Sequence, residues 1–264
     1  MSGKIDRIDC GSGDRRHNLE ITEHKAVGFL VSISRLWRLS PKFTMLEGAI
    51  FDMDGVLVNN APYHIRAWKQ LGKELGRELA DDAIRAVFGQ RNKEMLAALM
   101  GRNFTPEELA RHTARKEIIY REMIRPHLQP VDGLPEFLAD LKQEGIRTAL
   151  ATSGPRENVD LVLRSLHFES CFNAVVTGAD VSRSKPDPEI FLLAARCLGV
   201  PAEKSVVFED STAGVQAARR AGCLCIAVAT THSAAELEAF SPSRIIFDFR
   251  NLRAADLARI KPSI

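Results

Sequence analysis

No uninterrupted apolar run in the 264 residues reaches the roughly 18 that a membrane span needs, so no transmembrane segment is predicted. Cysteine is scarce and odd in number: Cys10, Cys171, Cys197, Cys223 and Cys225, with no CxxC pair. This excludes a disulfide framework and points to a reducing compartment, the cytoplasm. Cys223 and Cys225 flank Leu224 in an apolar run and read as small buried hydrophobes on one face of a strand. A charge excess is also missing, since 36 Lys and Arg stand against 34 Asp and Glu, a net charge of +2. A nucleic-acid partner calls for a basic stripe, so none is expected. What the chain has is an ordinary globular composition, 45% hydrophobic and 27% charged, which excludes disorder and collagen-like architectures. Its length suits one large domain or two modest ones.

Residues 1–44 are mostly polar and include Gly11-Ser12-Gly13 and Asp14-Arg15-Arg16-His17. Residues 27–39 are more apolar, but Asp6, Asp9, Asp14, Glu20 and Glu23 precede them, and targeting peptides are poor in acids. An extension outside the fold is expected. Met45 stands directly before the first clear strand and is a candidate natural start, a reading that peptides from before Met45 in the native protein would overturn.

Beyond Met45, short apolar runs alternate with helical patterns. Strands are predicted over 49–51, 146–151, 174–177, 205–208, 223–229 and 244–247. Helices are predicted over 134–143, 158–166, 188–198 and 212–221, the last ending at Gly222. Such alternation implies a parallel sheet with helices on both faces and ligands beyond the carboxyl ends of the strands. One region breaks the rhythm: 61–125 carries four helical patterns, at 63–75, 81–87, 92–100 and 106–124, and no strand. It is a candidate second module placed over the strand ends.

Four short motifs lie at those ends. Asp52-Met53-Asp54-Gly55 follows the first strand, with two carboxylates on one side and a glycine that permits a tight turn. The same pattern occurs in calcium loops and ordinary turns. Thr152-Ser153-Gly154 suits a phosphate at a helix start, or a plain helix cap. Lys185, in Ser184-Lys185-Pro186-Asp187-Pro188, is either functional or a solvated lysine. Glu209-Asp210 can cap the following helix or ligate a hard divalent cation.

Taken together and in this order, these motifs resemble the haloacid dehalogenase-like superfamily. Within it, FDMDGVLVNNAPYHIRAW, ATSGPREN, SRSKPDPEIF and VVFEDSTAGVQAARRAG look most like the β-phosphoglucomutase-like hydrolases, over about residues 45–249. The resemblance implies an α/β fold: a Rossmann-like parallel core over 45–60 and 129–264, with a small helical cap domain over 61–128. It also implies phosphoryl transfer with Mg²⁺. Accelerating phosphate-monoester hydrolysis by up to ~10²¹-fold takes about 29 kcal/mol, which requires a nucleophile, a cation and fixed donors together. Asp52 is implied as nucleophile and Asp54 as general acid–base. Thr152 and the N–H groups after it would hold the phosphoryl group, and Lys185 would neutralise charge. Asp52, Asp210 and the backbone carbonyl of Asp54 would bind Mg²⁺, with Glu209 direct or through water. The family's dehalogenases lack an acid at the second position, so Asp54 argues for phosphate chemistry.

In the implied cap, His64, Arg91 (with Gly89 before it) and Lys116 are candidates to reach the substrate, against the plainer reading of an exposed polar face. Met95, Leu96, Leu99 and Met100 read as cap core. Where the mutases carry an Asp-Thr pair the chain has Asn59-Asn60. Their Ser-Lys-Asn run becomes Gly154-Pro155-Arg156, in which Ser153, Gly154 and Arg156 remain candidate substrate contacts. The expected function is therefore a Mg²⁺-dependent phosphatase of small phosphorylated metabolites, sugar phosphates above all, working as a monomer. A β-phosphoglucomutase is the alternative, and a non-catalytic metabolite-binding protein a remote one.

Overall fold

The computed structural model describes residues 46–260, so the expectations about 1–44 and Met45 lie outside the described residues. The chain enters the sheet with β1 (Gly48–Phe51) and then forms four helices, α1 (Ala61–Glu74), α2 (Asp81–Arg85), α3 (Asn92–Met100) and α4 (Pro106–Ile124). After them come α5 (Leu134–Gln143), β2 (Arg147–Ala151), α6 (Arg156–Leu166), β3 (Ala174–Val176), α7 (Glu189–Leu198), β4 (Ser205–Glu209), α8 (Thr212–Arg220) and β5 (Leu224–Val228). The last elements are α9 (Ala234–Glu238), β6 (Arg244–Ile246) and α10 (Ala254–Leu257). All strand pairs are parallel, in the order β3-β2-β1-β4-β5-β6. The order reverses at β1, which pairs with β2 on one side and β4 on the other, and open parallel sheets bind ligands at such a point.

The strands are buried on both faces, and a side-chain period of two sorts them into two cores. Phe51, Leu150, Phe208, Ile226 and Val228 face a layer with Phe137 and Phe249. Ile50, Ala149, Val207, Cys225 and Ala227 face the other, with Phe191 and Val215. The ring of Phe51 stacks on Phe208 at 4.6 Å, directly before Asp52 in the chain.

Every predicted strand and helix exists, with ends unchanged or moved by at most two residues. Helix α1 starts at Ala61 because Pro62 suits a first turn, and α6 starts at Arg156, directly after Pro155. Strand β5 begins at Leu224, so Cys223 precedes it, although both Cys223 and Cys225 are buried in the same core. The short helices α9 and α10 were not predicted. A Ser233–Glu236 capping box fixes the first, in a segment too short to show an apolar period.

The four-helix insert has an apolar cluster of its own, built on Ile65, Trp68, Leu71, Ile84, Met95 and Leu96. Its longest helix, α4, opens with a Thr105–Glu108 capping box and sends Ile119, Tyr120 and Ile124 into the main core. The chain segments leading into and out of the insert lie side by side: Val58 bridges Pro130, and Val131 N–H donates to Leu57 O at 2.9 Å.

Candidate active site

The ends of β1 and β4, with the loops after β2 and before α7, form the floor of one cavity. Asp52 leaves β1 with its N–H still donating to Phe208 O at 2.9 Å, so the sheet ladder aims it. The following turn closes on Gly55, whose φ is +76° and whose missing Cβ would lie 1.9 Å from Asp210 Oδ2. Only glycine fits, which is how Asp52, Asp54 and Asp210 come within reach of one another. Lys185 is buried, with Nζ 2.9 Å from Asp52 Oδ1 and 2.6 Å from Glu209 Oε1. Glu209 accepts on its other oxygen from the Ser211 N–H at 2.7 Å and hydroxyl at 2.9 Å. The helix cap that the sequence offered to the acids is filled by Ser211, which accepts from Gly214 N–H at 3.0 Å. Thr152 Oγ1 accepts from Gly154 N–H at 3.0 Å and keeps its own proton for an oxygen in the cavity.

Three buried carboxylates, Asp52, Glu209 and Asp210, place ligand atoms within 4.8 Å of one another with one lysine among them. Burial, with the charges of Glu209 and Asp54, pushes Asp52 up to about 7 against the pull of Lys185. Burial, Glu209 and Asp52 raise Asp210 well above the carboxylate range, opposed by Thr231 and Lys185. Burial works against the Lys185 charge, yet Asp52 and Glu209 hold its pKa above the usual lysine value. This crowding of negative charge in an all-oxygen donor set fits a hard divalent cation such as Mg²⁺.

The insert forms the roof. His64 Nε2 lies 3.3 Å from Asp54 Oδ1, and Lys116 Nζ lies 2.7 Å from His64 Nδ1 and 2.8 Å from Glu117 Oε1. With Lys116 donating to Nδ1, the ring proton sits on Nε2 and faces Asp54. Asn60 donates to Asp54 Oδ1 at 2.6 Å and to Tyr120 Oη at 2.6 Å. Burial raises the Asp54 pKa, but His64, Asn60 and Lys116 bring it below the usual value. His64 and Lys116 are thus buried against the floor rather than on an exposed face. Among the contacts that hold roof to floor, Ser153 Oγ donates to Gly89 O at 2.7 Å, Arg91 N–H to Ser184 Oγ at 2.9 Å, and Arg85 to Thr231 O at 2.9 Å. Between them lies a cavity of about 60 Å³, several times the roughly 10–15 Å³ that one water occupies.

Two candidates sit elsewhere. The Arg91 guanidinium turns from the cavity to Glu94, Val181 O and Ser182 O, because the loop after β3 offers it two carbonyls. Arg156 is exposed and pairs with Asp160 at 2.9 Å, one helical turn on. The cavity residues that the sequence did not single out include Trp68, Gln90, Asn92, Glu117 and Thr231, and Met95, read as cap core, packs in the insert's apolar cluster and lines the cavity as well. Glu117 left a readable signal, being a charge three and seven residues before Tyr120 and Ile124 on the buried face of α4.

The haloacid dehalogenase-like hydrolases match residues 49–228 of this chain. The chain is 34% identical over 199 residues to the validoxylamine A 7′-phosphate phosphatase of Streptomyces hygroscopicus subsp. limoneus, covering 73% of this chain and 90% of that protein. It is 32% identical over 191 residues to the β-phosphoglucomutase of Bacillus subtilis, covering 69% and 83%. Among solved structures, a CbbY variant from Rhodobacter sphaeroides in complex with xylulose-(1,5)bisphosphate superposes with a TM-score of 0.71 at 28% identity, covering 79% of this chain and 96% of that one. The chain belongs to the haloacid dehalogenase-like hydrolase family. Its relatives are phosphatases and phosphomutases, and it is a phosphoryl-transfer enzyme of the β-phosphoglucomutase-like kind. Among the described residues no helix is long and apolar enough to cross a membrane.

Proposed function

We propose that the chain is a Mg²⁺-dependent phosphatase of small phosphorylated metabolites, sugar phosphates above all, working through an aspartyl phosphate. The observation that carries this reading is the convergence of Asp52, Asp54, Thr152 and Asp210 on one enclosed cavity, with Lys185 bonded to Asp52 beneath it. Asp52 attacks phosphorus as the ester P–O bond breaks, and Asp54, ionised in the free site, takes a proton from solvent when the phosphate dianion of the substrate binds beside it and passes that proton to the departing oxygen. Asp54 then takes a proton from water as the water attacks the phosphoaspartate, which returns the Asp52 carboxylate and releases phosphate. The Thr152 hydroxyl, oriented by the Gly154 N–H, and the Ser153 N–H would donate to the transferring oxygens, and Lys185 neutralises charge on them and on Asp52. Asp52, Asp210 and the Asp54 carbonyl would hold Mg²⁺, whose charge offsets the repulsion between carboxylate and phosphate. Both oxygens of Glu209 are engaged, so its part is to hold Lys185, with any contact to the cation through water.

We assign residues 61–128 as a cap over a core of 45–60 and 129–264. The insert's own apolar cluster and the paired segments at its base support this. His64 and Lys116, packed over Asp54, are the cap side chains of the site.

A β-phosphoglucomutase is the second reading, favoured by the same His64–Lys116 pair and by the Bacillus relative. The phosphatase is preferred because Pro155 stands where the mutases carry a lysine, and because Arg156 is tied to Asp160. Phosphorus NMR with Mg²⁺, β-glucose 1-phosphate and a trace of glucose 1,6-bisphosphate separates the two. Free phosphate from this or another sugar phosphate supports the phosphatase, and conversion to glucose 6-phosphate establishes the mutase. Failure to release phosphate from p-nitrophenyl phosphate with Mg²⁺ and from a panel of sugar phosphates sinks the phosphatase reading.

A further inference from the structure

We propose that Glu117 is a specificity-determining residue. It makes the leaving-group end of the cavity a subsite for a neutral, hydroxyl-bearing group and turns away a second phosphate. The inference rests on the phosphatase reading above and names the substrate class within it.

Glu117 is buried and lines the catalytic cavity. It also lines a second cavity of about 380 Å³ that continues outward between the insert and the loop after β2. Asn92, Ser153 and Gly154 border both spaces, so Glu117 stands at their junction. A substrate whose phosphate rests at Asp52 and whose remainder points outward must pass this carboxylate.

The charge there is negative and fixed. Burial opposes ionisation of Glu117, but Lys116, His64 and the donated bond from Asn158 hold its pKa below the usual value. In turn Glu117 neutralises Lys116, the one lysine lining the inner cavity, at 2.8 Å. The other cations nearby stand outside the inner cavity. Arg91 is held by Glu94 and two carbonyls, while Arg121, donating to Asn158 Oδ1 at 2.9 Å, and half-exposed Lys93, 3.8 Å from Glu94, keep their charge and line the outer space alone. Glu157 adds a further carboxylate to the outer lining. At the junction a second phosphate would therefore meet a buried carboxylate whose lysine is already matched, with like charges close together before it reaches the outer space.

Neutral oxygens fare differently. Glu117 accepts from Asn92 at 2.6 Å, Lys116 at 2.8 Å and Asn158 at 2.6 Å, three bonds on a group with about four acceptor sites. One site is left for a substrate O–H. Trp68 lines the same cavity, and its indole N–H is buried without a partner, a donor suited to a hydroxyl oxygen.

The test is inhibition of Mg²⁺-dependent p-nitrophenyl phosphate hydrolysis by fructose 6-phosphate and by fructose 1,6-bisphosphate. In the wild type the monophosphate should inhibit at a concentration about tenfold lower than the bisphosphate. Glu117→Gln keeps shape and most hydrogen bonding but removes the charge, and should erase that roughly tenfold preference. Asn92→Ala removes a bond to the same carboxylate but leaves its charge and frees no cation, and should keep the preference within about twofold. The proposal is overturned if E117Q hydrolyses p-nitrophenyl phosphate with the preference intact, or if N92A loses it equally. Should E117Q not fold, the wild-type ratio decides, and a bisphosphate that inhibits as well as the monophosphate overturns the proposal. If the wild type releases no phosphate from p-nitrophenyl phosphate or from any of the panel of sugar phosphates, the phosphatase reading falls first and this inference with it.

Discussion

Floor and roof of the cavity bury charge in opposite ways. On the floor, Asp52, Glu209 and Asp210 share a single lysine, Lys185. In the roof, each charge meets a partner along the series His64, Lys116, Glu117 and Asn158, with contacts of 2.7, 2.8 and 2.6 Å. Buried charges are costly unless paired. The shortage on the floor therefore marks where an external cation belongs. The balance in the roof marks where a neutral group belongs.

The sharpest break in that contrast is Asp52→Asn. Phosphate release should fall by about 10⁴-fold or more, as when a nucleophile is removed from a concerted site. The metal-free protein should gain stability, because one of three crowded acids becomes neutral, and thermal unfolding without Mg²⁺ checks this. Lys185→Met tests the shortage from the other side. Removing the one buried counter-charge should cost the metal-free protein about 3–5 kcal/mol in urea unfolding. Mg²⁺ should recover part of the loss, because it binds only the folded site.

A smaller change sharpens how roof meets floor. Gly89 has φ +88°, and an added Cβ would lie 2.3 Å from Ser211 Oγ. Gly89→Ala should hold the roof off the floor and lower kcat/KM by about 10²-fold, the scale of a 1 Å misplacement. Lys185 and the sheet are untouched, so Tm should move little. The smallest effect lies at the outer edge of the floor, in the loop before α7. Glu189 accepts from Ser182 and Arg183 and titrates at about 2 instead of 4.5. Its lowered pKa stabilises the fold fully above pH 4.5, and that contribution disappears as the pH falls through about 2. Wild type and Glu189→Gln should differ slightly at neutral pH and converge in acid, as read from unfolding midpoints.

The floor was legible in the sequence because strands place it. Asp52, Thr152 and Asp210 come one or two residues after buried runs of period two, and strand ends converge in any parallel sheet. The roof was legible only as helices. Helical spacing gives a face but not which charges on it turn inward, so Lys116 was found by resemblance and its neighbour Glu117 was overlooked. Arg91 and Arg156 show the converse. Both are cations at plausible positions, yet one is drawn to the Val181 and Ser182 carbonyls and the other to Asp160. A sequence does not display such local competition for a guanidinium.

Strand β1 is the first strand among the described residues and lies at the middle of the sheet. Its Gly48 waits for Arg147 on one side and Ser205 on the other. During synthesis, the segment bearing Asp52 is therefore made early and fixed late, once more than half of the chain has followed. Long-range pairing of this kind is slow to form and leaves an apolar strand uncovered meanwhile. A ribosome-bound fragment ending before β4 would carry the proposed nucleophile without Glu209, Asp210 or the neighbouring strand that aims it. Catalytic competence would then arrive in one step near the end of translation, which makes activity a sensitive gauge of whether the whole core has closed.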